Sequence, residues 1–433
     1  MGRRAKEGRV HHGADEELVR ADPRLPGLEA LLSGDAALEL LDSLLPDDTE
    51  RPLRVEVARG RYRRGVALTA TLTLHYADGP RHAFARALPP DAAADHARRW
   101  SPPPSDGSAA LAALTEPRLR GPLYAPDLGV LLGPPVDDRA LPAARRLAAE
   151  PQRFTGTSPS RAHTLSYSAG HHWTGRFDDA ADGSGLVVHA RSGGVNAACY
   201  LAPAVAGLPV PDLVKVSRYG LLVTRWLPGE PLDRLLGRDR SAGEAALAET
   251  GRLLARLHSV PPPRELPRRD PAAALGRAAE EVADLLPDLA VRAAAVARTC
   301  ADALASAEAP QALVHGSLRP GRVVVGGRGP ALVGLEEAHT AHPATDLAGY
   351  AAAGSGPRPP VGGAPAAVPG PLLDGYLAAL PSADARRVRR DLGVCTAAAL
   401  LCRATAPFRR GEDDWDAGVA ALLAAAETAL AEQ

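Results

Sequence analysis

Leu313-Val314-His315-Gly316-Ser317-Leu318-Arg319-Pro320-Gly321-Arg322-Val323-Val324-Val325 is the stretch on which the reading of this chain turns. Leu313 and Val314 make a short apolar strand. The polar run to Arg322 is a loop held by Gly316, Pro320 and Gly321, and Val323–Val325 form a β-branched strand. A Gly-rich turn follows, then Ala331-Leu332-Val333-Gly334-Leu335-Glu336-Glu337-Ala338 as another strand, then His342-Pro343-Ala344-Thr345-Asp346-Leu347-Ala348 as a helix start. A polar loop mounted on a β-hairpin presents its side chains from a rigid base, which suits binding or chemistry.

Working outward, the chain divides by pattern. Residues 1–24 are polar and charged and read as a flexible tail. Residues 25–150 read as an N-terminal α/β extension. Its leucines Leu28, Leu31, Leu32, Leu38, Leu41 and Leu44 have helical spacing, and a β-meander with a hairpin at Ala77-Asp78-Gly79-Pro80 covers residues 53–88. Ser101–Ser108 is a Pro-rich linker, and a helix is expected around Leu141–Ala149. Strands follow at Thr164–Tyr167, Trp173–Phe177 and Leu186–Ala190, with Gly-containing turns between them. This layout echoes residues 53–88 and suggests a duplicated β-unit, although three-stranded meanders are common. After a helix near Val195–Ala206 and strands at Leu213–Val216 and Leu221–Trp226, Leu227-Pro228-Gly229-Glu230-Pro231-Leu232 breaks the sheet. The rest is mainly helical: residues 243–259, 271–308, 371–380, 383–405 and 413–431, with a Pro/Gly-rich loop at 354–370.

With 433 residues, the chain can bury a large core and is expected to form two or three structural units. A net charge of −1 gives no case for nucleic acid or a membrane surface as partner. No apolar run reaches the roughly 18 residues of a membrane span, and the charged N-terminus shows no signal peptide, so a cytoplasmic protein is the expectation. The four cysteines, Cys199, Cys300, Cys395 and Cys402, form no C-x-x-C pair, which argues against a zinc site. Cys395 and Cys402 would share a helix face and read as core. The pair His11-His12 reads as part of an unstructured tail, and His171-His172, in a turn, reads as solvent-facing rather than metal-binding.

The quoted stretch resembles the catalytic region of the aminoglycoside phosphotransferase and choline kinase family, a branch of the protein-kinase-like fold. The family pattern is His-Gly-Asp-x-x-x-x-Asn, then a strand ending in Ile-Asp, then Asp-Pro-x-x-Asp-Leu-Ala. The resemblance implies an α+β, two-lobed fold: a small antiparallel β lobe over 160–226 and a larger helical lobe over 227–433, with a catalytic-type loop at 313–348. It further implies ATP or another nucleotide as ligand, with His189, Arg191, Arg319 and the hinge residues Arg225, Trp226 and Leu227 around it. A phosphotransferase of this kind also needs charge neutralisation and positioning.

The positions that carry charge in the family are changed. The third-strand lysine should lie at about 189 or 190, where His189 stands. The following helix, residues 193–207, has no acid to hold a lysine. Ser317 stands at the base position, Arg322 at the metal asparagine and Gly334 at the metal aspartate. Glu336 is a candidate displaced ligand, two places along the same strand face. His315 and Gly316 keep the loop's frame, and Asp346 reads as a structural carboxylate that caps backbone N–H groups. No metal is assigned, and Mg2+ loses its ligands. Arg319 and Arg322 could hold phosphate or carboxylate directly; alternatively Arg322 pairs with Glu336 or Glu337 and fills the site. The leading reading is a pseudokinase that binds a nucleotide or other anion. The others are an active phosphotransferase on a small hydroxylated metabolite or antibiotic, and a protein-interaction module using the N-terminal extension as partner surface.

Overall fold

Alternation of apolar and polar residues builds two five-stranded antiparallel sheets in sequence. The computed structural model describes residues 13–100, 114, 118–119, 122–156, 161–178, 185–307, 311–354 and 367–432. The first sheet comprises β1 (Arg54–Arg63), β2 (Ala67–Tyr76), β3 (Gly79–Ala87), β4 (Leu123–Ala125) and β5 (Val130–Gly133), in the order β1-β2-β3-β5-β4. The second comprises β6 (Arg161–Ser168), β7 (His172–Asp178), β8 (Gly185–Arg191), β9 (Leu213–Ser217) and β10 (Leu221–Arg225), in the order β6-β7-β8-β10-β9. In β2, Leu68, Leu72 and Leu74 all point to one fully buried face.

The two sheets share more than their order. Each has a helix between its third and fourth strands, Pro90–Arg98 in the first unit and Ala198–Val205 in the second. The first hairpins have the same register, Arg63 opposite Ala67 and Ser168 opposite His172. Each turns on a glycine with positive φ, Gly65 at +66° and Gly170 at +74°, a conformation that glycine adopts without cost. An aspartate preceding each sheet reaches into this hairpin. Asp22 accepts from the Tyr62 hydroxyl at 2.9 Å and the Gly65 N–H at 2.8 Å. Asp138 accepts from the Tyr167 hydroxyl at 2.9 Å and the Gly170 N–H at 2.7 Å. Further along, Leu88 N–H donates to the Gly129 carbonyl and Arg191 N–H to the Gly220 carbonyl, both at 3.0 Å. The suggested duplication of a β-unit thus extends over five strands, a helix and a preceding aspartate.

Each unit sets one face against the helices that precede it. Ala83, Ala85 and Ala87 of β3 pack with Leu28, Leu31 and Leu41. Val188 and Ala190 of β8 pack with Leu141, Ala144 and Leu147. The opposite face of the first sheet looks towards the second unit, where Ala169 N–H donates to Thr71 Oγ1 at 2.8 Å. The opposite face of the second sheet looks towards the large lobe.

The large lobe is mainly helical. Its long helices are Arg240–Ser259, Pro271–Leu285, Ala290–Ser306, Ser382–Arg403 and Trp415–Ala431. Between them lie the small sheet β11 (Glu230–Pro231), β13 (Val323–Gly326) and β14 (Gly329–Leu332), and the pair β12 (Ala312–Val314) and β15 (His339–Ala341). From Arg161 onward the chain has a two-lobed α+β arrangement, a five-stranded antiparallel sheet followed by a mainly helical lobe.

Some expectations need correction. The presumed tail forms a helix at Gly13–Ala21, whose Asp15 is buried and holds Arg59 at 3.0 and 2.9 Å and Trp415 Nε1 at 2.9 Å. A buried acid with three such bonds fixes the segment. The strand expected over 331–338 stops at Leu332. Gly334 turns with φ +76°, and Leu335–Glu337 is a 3₁₀ turn. Cys395 is buried but Cys402 is exposed. The expected linker at 101–108, His11-His12 and most of the loop at 354–370 lie outside the described residues. Among those described, no helix is long and apolar enough to cross a membrane.

Candidate functional site

The loop between β12 and β13 is braced from beneath. Asp346, in the first turn of the Ala344–Gly354 helix, accepts from the N–H of His315 at 2.6 Å and of Gly316 at 2.8 Å. His258 Nε2 meets the same carboxylate at 3.1 Å, and its Nδ1 lies 2.7 Å from the Tyr376 hydroxyl. Burial alone would raise the Asp346 carboxyl, but the bond from His258, the charges around it and the loop N–H bond hold it below its ordinary value. The carboxylate therefore braces the neighbouring loop. His315 is fully buried, with Nε2 at 3.0 Å from the Val333 carbonyl, so its ring ties the loop to the next strand. Burial lowers its pKa and keeps it neutral.

Above this brace lies an acid surrounded by donors. Glu336, whose side chain is 2% exposed, accepts from the Tyr200 hydroxyl at 2.6 Å. His189 Nδ1 lies 3.1 Å from the same oxygen, and Arg322 Nη1 lies 3.6 Å from the other. Burial opposes the charge on Glu336, yet His189, Arg322 and Tyr200 overcome it and hold the carboxyl down to about 2. Burial drives the His189 imidazole towards neutrality. The bond from His189 is then that of a neutral N–H, and Arg322 supplies the countercharge. Glu337 pairs with both Arg191 and Arg269.

The 3₁₀ turn brings Glu336 here because Gly334 bends the chain. A Cβ added at Gly334 would run into the Arg322 guanidinium. Arg322 thus occupies the space into which a side chain at 334 would project. Ser317 sits beside them, its Oγ 3.5 Å from the Gly334 carbonyl, a long and weak bond.

The candidate residues separate into two groups. His189, Arg191, Ser317, Arg322, Gly334 and Glu336 come together on the loop, with His315 and Asp346 below. Arg225, Trp226 and Leu227 stand at the end of β10. Arg225 is exposed, and Arg176 stacks on the Trp226 ring at 4.3 Å. Arg319 is exposed. Lys215, on the edge strand β9, donates to the Arg153 carbonyl and stays out of the cluster.

Tyr200 and Arg269 were not legible as site residues. Tyr200 lies in an apolar helix and reads as core, and Arg269 lies in a charged run, Arg268-Arg269-Asp270, that reads as surface. The lack of any acid in residues 193–207 was the available signal, because a basic or hydroxylic partner for Glu336 has to come from somewhere. Among the described residues, no group of three or more His, Cys, Asp or Glu side chains could hold a metal ion.

The sequence model described as the phosphotransferase enzyme family, APH, matches residues 196–392. That segment is phosphotransferase-like. It contains the hinge, the brace and the whole loop from His315 to Glu337, while His189 and Arg191 lie just before it. Solved structures similar to the chain include a choline/ethanolamine kinase family protein from Mesorhizobium loti. It is 19% identical and covers 67% of this chain and 94% of that one, with a TM-score of 0.45. An aminoglycoside phosphotransferase, APH(3'')-Id from Streptomyces rimosus, is 18% identical over 57% of this chain and 96% of that one, with a TM-score of 0.38. An ethanolamine kinase from Plasmodium vivax is 11% identical over 61% and 82%, with a TM-score of 0.45. No curated protein matches.

Proposed function

We propose that this chain is a pseudokinase: an APH-like module that holds a nucleotide or another anion in a regulatory or scaffolding role and does not transfer phosphoryl groups. The observation that carries this reading is the position of Arg322. Its guanidinium fills the space beside Gly334 and pairs with Glu336. A divalent cation does not fit a place already held by a positive charge. Glu336, held down to about 2, is a weak base for a substrate hydroxyl, and among the described residues the Ser317 hydroxyl meets only the Gly334 carbonyl, which is no activating base.

An anion enters such a site by drawing cations away from their carboxylates. Arg269 is 45% exposed on its side chain, against 24% for Arg322 and 13% for Arg191, so Arg269 is the most accessible of these donors. Calorimetry with ATP in EDTA tests the reading. Metal-independent heat that falls on Arg322→Ala or Arg191→Ala supports it, and no heat sinks it. Mg2+-dependent ATP consumption with a panel of hydroxylated metabolites, abolished by Glu336→Ala or Glu337→Ala, would instead make the chain an active phosphotransferase with displaced ligands.

A further inference from the structure

The two β-units carry equivalent rows of side chains across their sheets. In the second unit Thr174, His189 and Leu222 stand side by side on β7, β8 and β10. In the first, Thr69, Arg86 and Leu131 hold the same places on β2, β3 and β5. The shared hairpin register and the matching bonds from Leu88 and Arg191 place Arg86 where the second unit has His189.

The second row is closed by the carboxylate of Glu336. Among the described residues no carboxylate pairs with Arg86, and its row opens instead on a cavity of about 550 Å³. The cavity lies between the two units, bounded on one side by the turn at 168–171. This size suits a small metabolite.

Three groups lining this cavity are buried without hydrogen bonds among the described residues: Arg86 Nε, Trp100 Nε1 and both carboxylate oxygens of Asp137. Asp137 is 2% exposed. Its nearest cation is Arg145, 3.9 Å away and beyond hydrogen-bond reach. The adjacent Asp138 accepts from Tyr167, Gly170 and Ala140, and although its charge acts on Arg86, no hydrogen bond joins the two among the described residues. On the rim, Arg61 and Arg409 are both spent on Glu281. Burial moves Asp137 up to about 6. Buried polar groups are rarely left unsatisfied, since each is costly. Two donors and an acceptor converging on one cavity describe the ligand that satisfies them.

We propose that this cavity is a second small-molecule site, separate from the loop of the large lobe. Its ligand is an anionic metabolite that also carries an amine or hydroxyl donor. The anion, phosphate or carboxylate, lies on Arg86 and the Trp100 N–H, and the donor on Asp137. Phe84 and Leu131 cover its apolar part.

Calorimetry on the full chain with inorganic phosphate, O-phosphoserine and glutamate tests the site and separates the two anion sources. O-phosphoserine or glutamate binds more tightly than inorganic phosphate. Arg86→Gln weakens that binding by about tenfold or more, as expected for loss of a charge-assisted bond. Asp137→Asn weakens the amine-bearing probe and leaves inorganic phosphate unchanged. Arg252→Ala, on the exposed face of the Arg240–Ser259 helix, changes nothing. Thermal melts check that each variant folds. Should Arg86→Gln fail to fold, Trp100→Phe keeps the ring, removes the N–H and lowers affinity several-fold. The proposal is overturned if no probe binds at millimolar concentration. It is equally overturned if binding survives both Arg86→Gln and Trp100→Phe, or is lost on Arg252→Ala.

Discussion

In both β-units an aspartate reaches a tyrosine hydroxyl and a turn glycine, and in both a basic side chain stands towards the C-terminal end of the third strand. The units part at what meets that side chain. His189 receives Glu336, brought in by the bend at Gly334. Among the described residues Arg86 pairs with no carboxylate, its Nε has no hydrogen bond, and it faces a cavity. One scaffold has therefore kept its backbone bracing in two copies while the chemistry on its working face diverged. The bracing depends on few atoms at fixed spacing, and the face depends on whatever domain comes next in the chain.

The difference can be broken most forcefully at Glu336. Replacing it with Ala leaves Arg322, His189 and the Tyr200 hydroxyl without their shared acceptor, and should cost about 3–5 kcal/mol in denaturant unfolding. A loss below about 1 kcal/mol would mean that the face is not held shut by this acid. A medium effect is expected at the paired aspartates. Asp22→Ala and Asp138→Ala should each cost about 1–3 kcal/mol, with Asp138 the more costly because it also accepts from Ala140. A neutral Asp22→Ala would undo the equivalence of the two units.

The smallest effect should come from Asp137. Its folded pKa of about 6 lies above the ordinary carboxylate value, so the folded chain holds this proton to higher pH than the unfolded chain. The stability it confers is full at acid pH and is lost as pH rises through about 6. Asp137→Asn removes the buried charge and should stabilise the chain by about 1–2 kcal/mol at neutral pH, with the gain fading near pH 4. Melts across that range measure it, and a gain independent of pH would count against a buried ionisable Asp137.

Much of the brace was legible in the sequence. His315, Gly316 and Asp346 keep a recognisable spacing, and their local roles depend on backbone geometry. The closing of the cleft was only half legible. A pairing of Arg322 with Glu336 could be weighed from charge alone, but the 3₁₀ turn that swings Glu336 inward depends on the left-handed bend at Gly334, which a strand pattern hides. β5 reads as a short apolar strand ahead of the 141–149 helix, but nothing in its pattern joins it to the meander, and β4, with only three residues, gives no strand pattern. The first β-unit's best signal was overlooked. Asp22-Pro23-Arg24-Leu25-Pro26 and Asp138-Arg139-Ala140-Leu141-Pro142 both give Asp-x-x-Leu-Pro ahead of a β-unit. So short a pattern has meaning only once Tyr62 and Tyr167 are seen to answer it.

The bond from Trp415 to Asp15 spans 400 residues. The indole that completes the cluster of Asp15 and Arg59 belongs to the Trp415–Ala431 helix, so the first β-unit and the large lobe share one buried ion pair. Opening of that helix exposes the pair to water, which ties the local stability of the first β-unit's base to the docking of a distant helix.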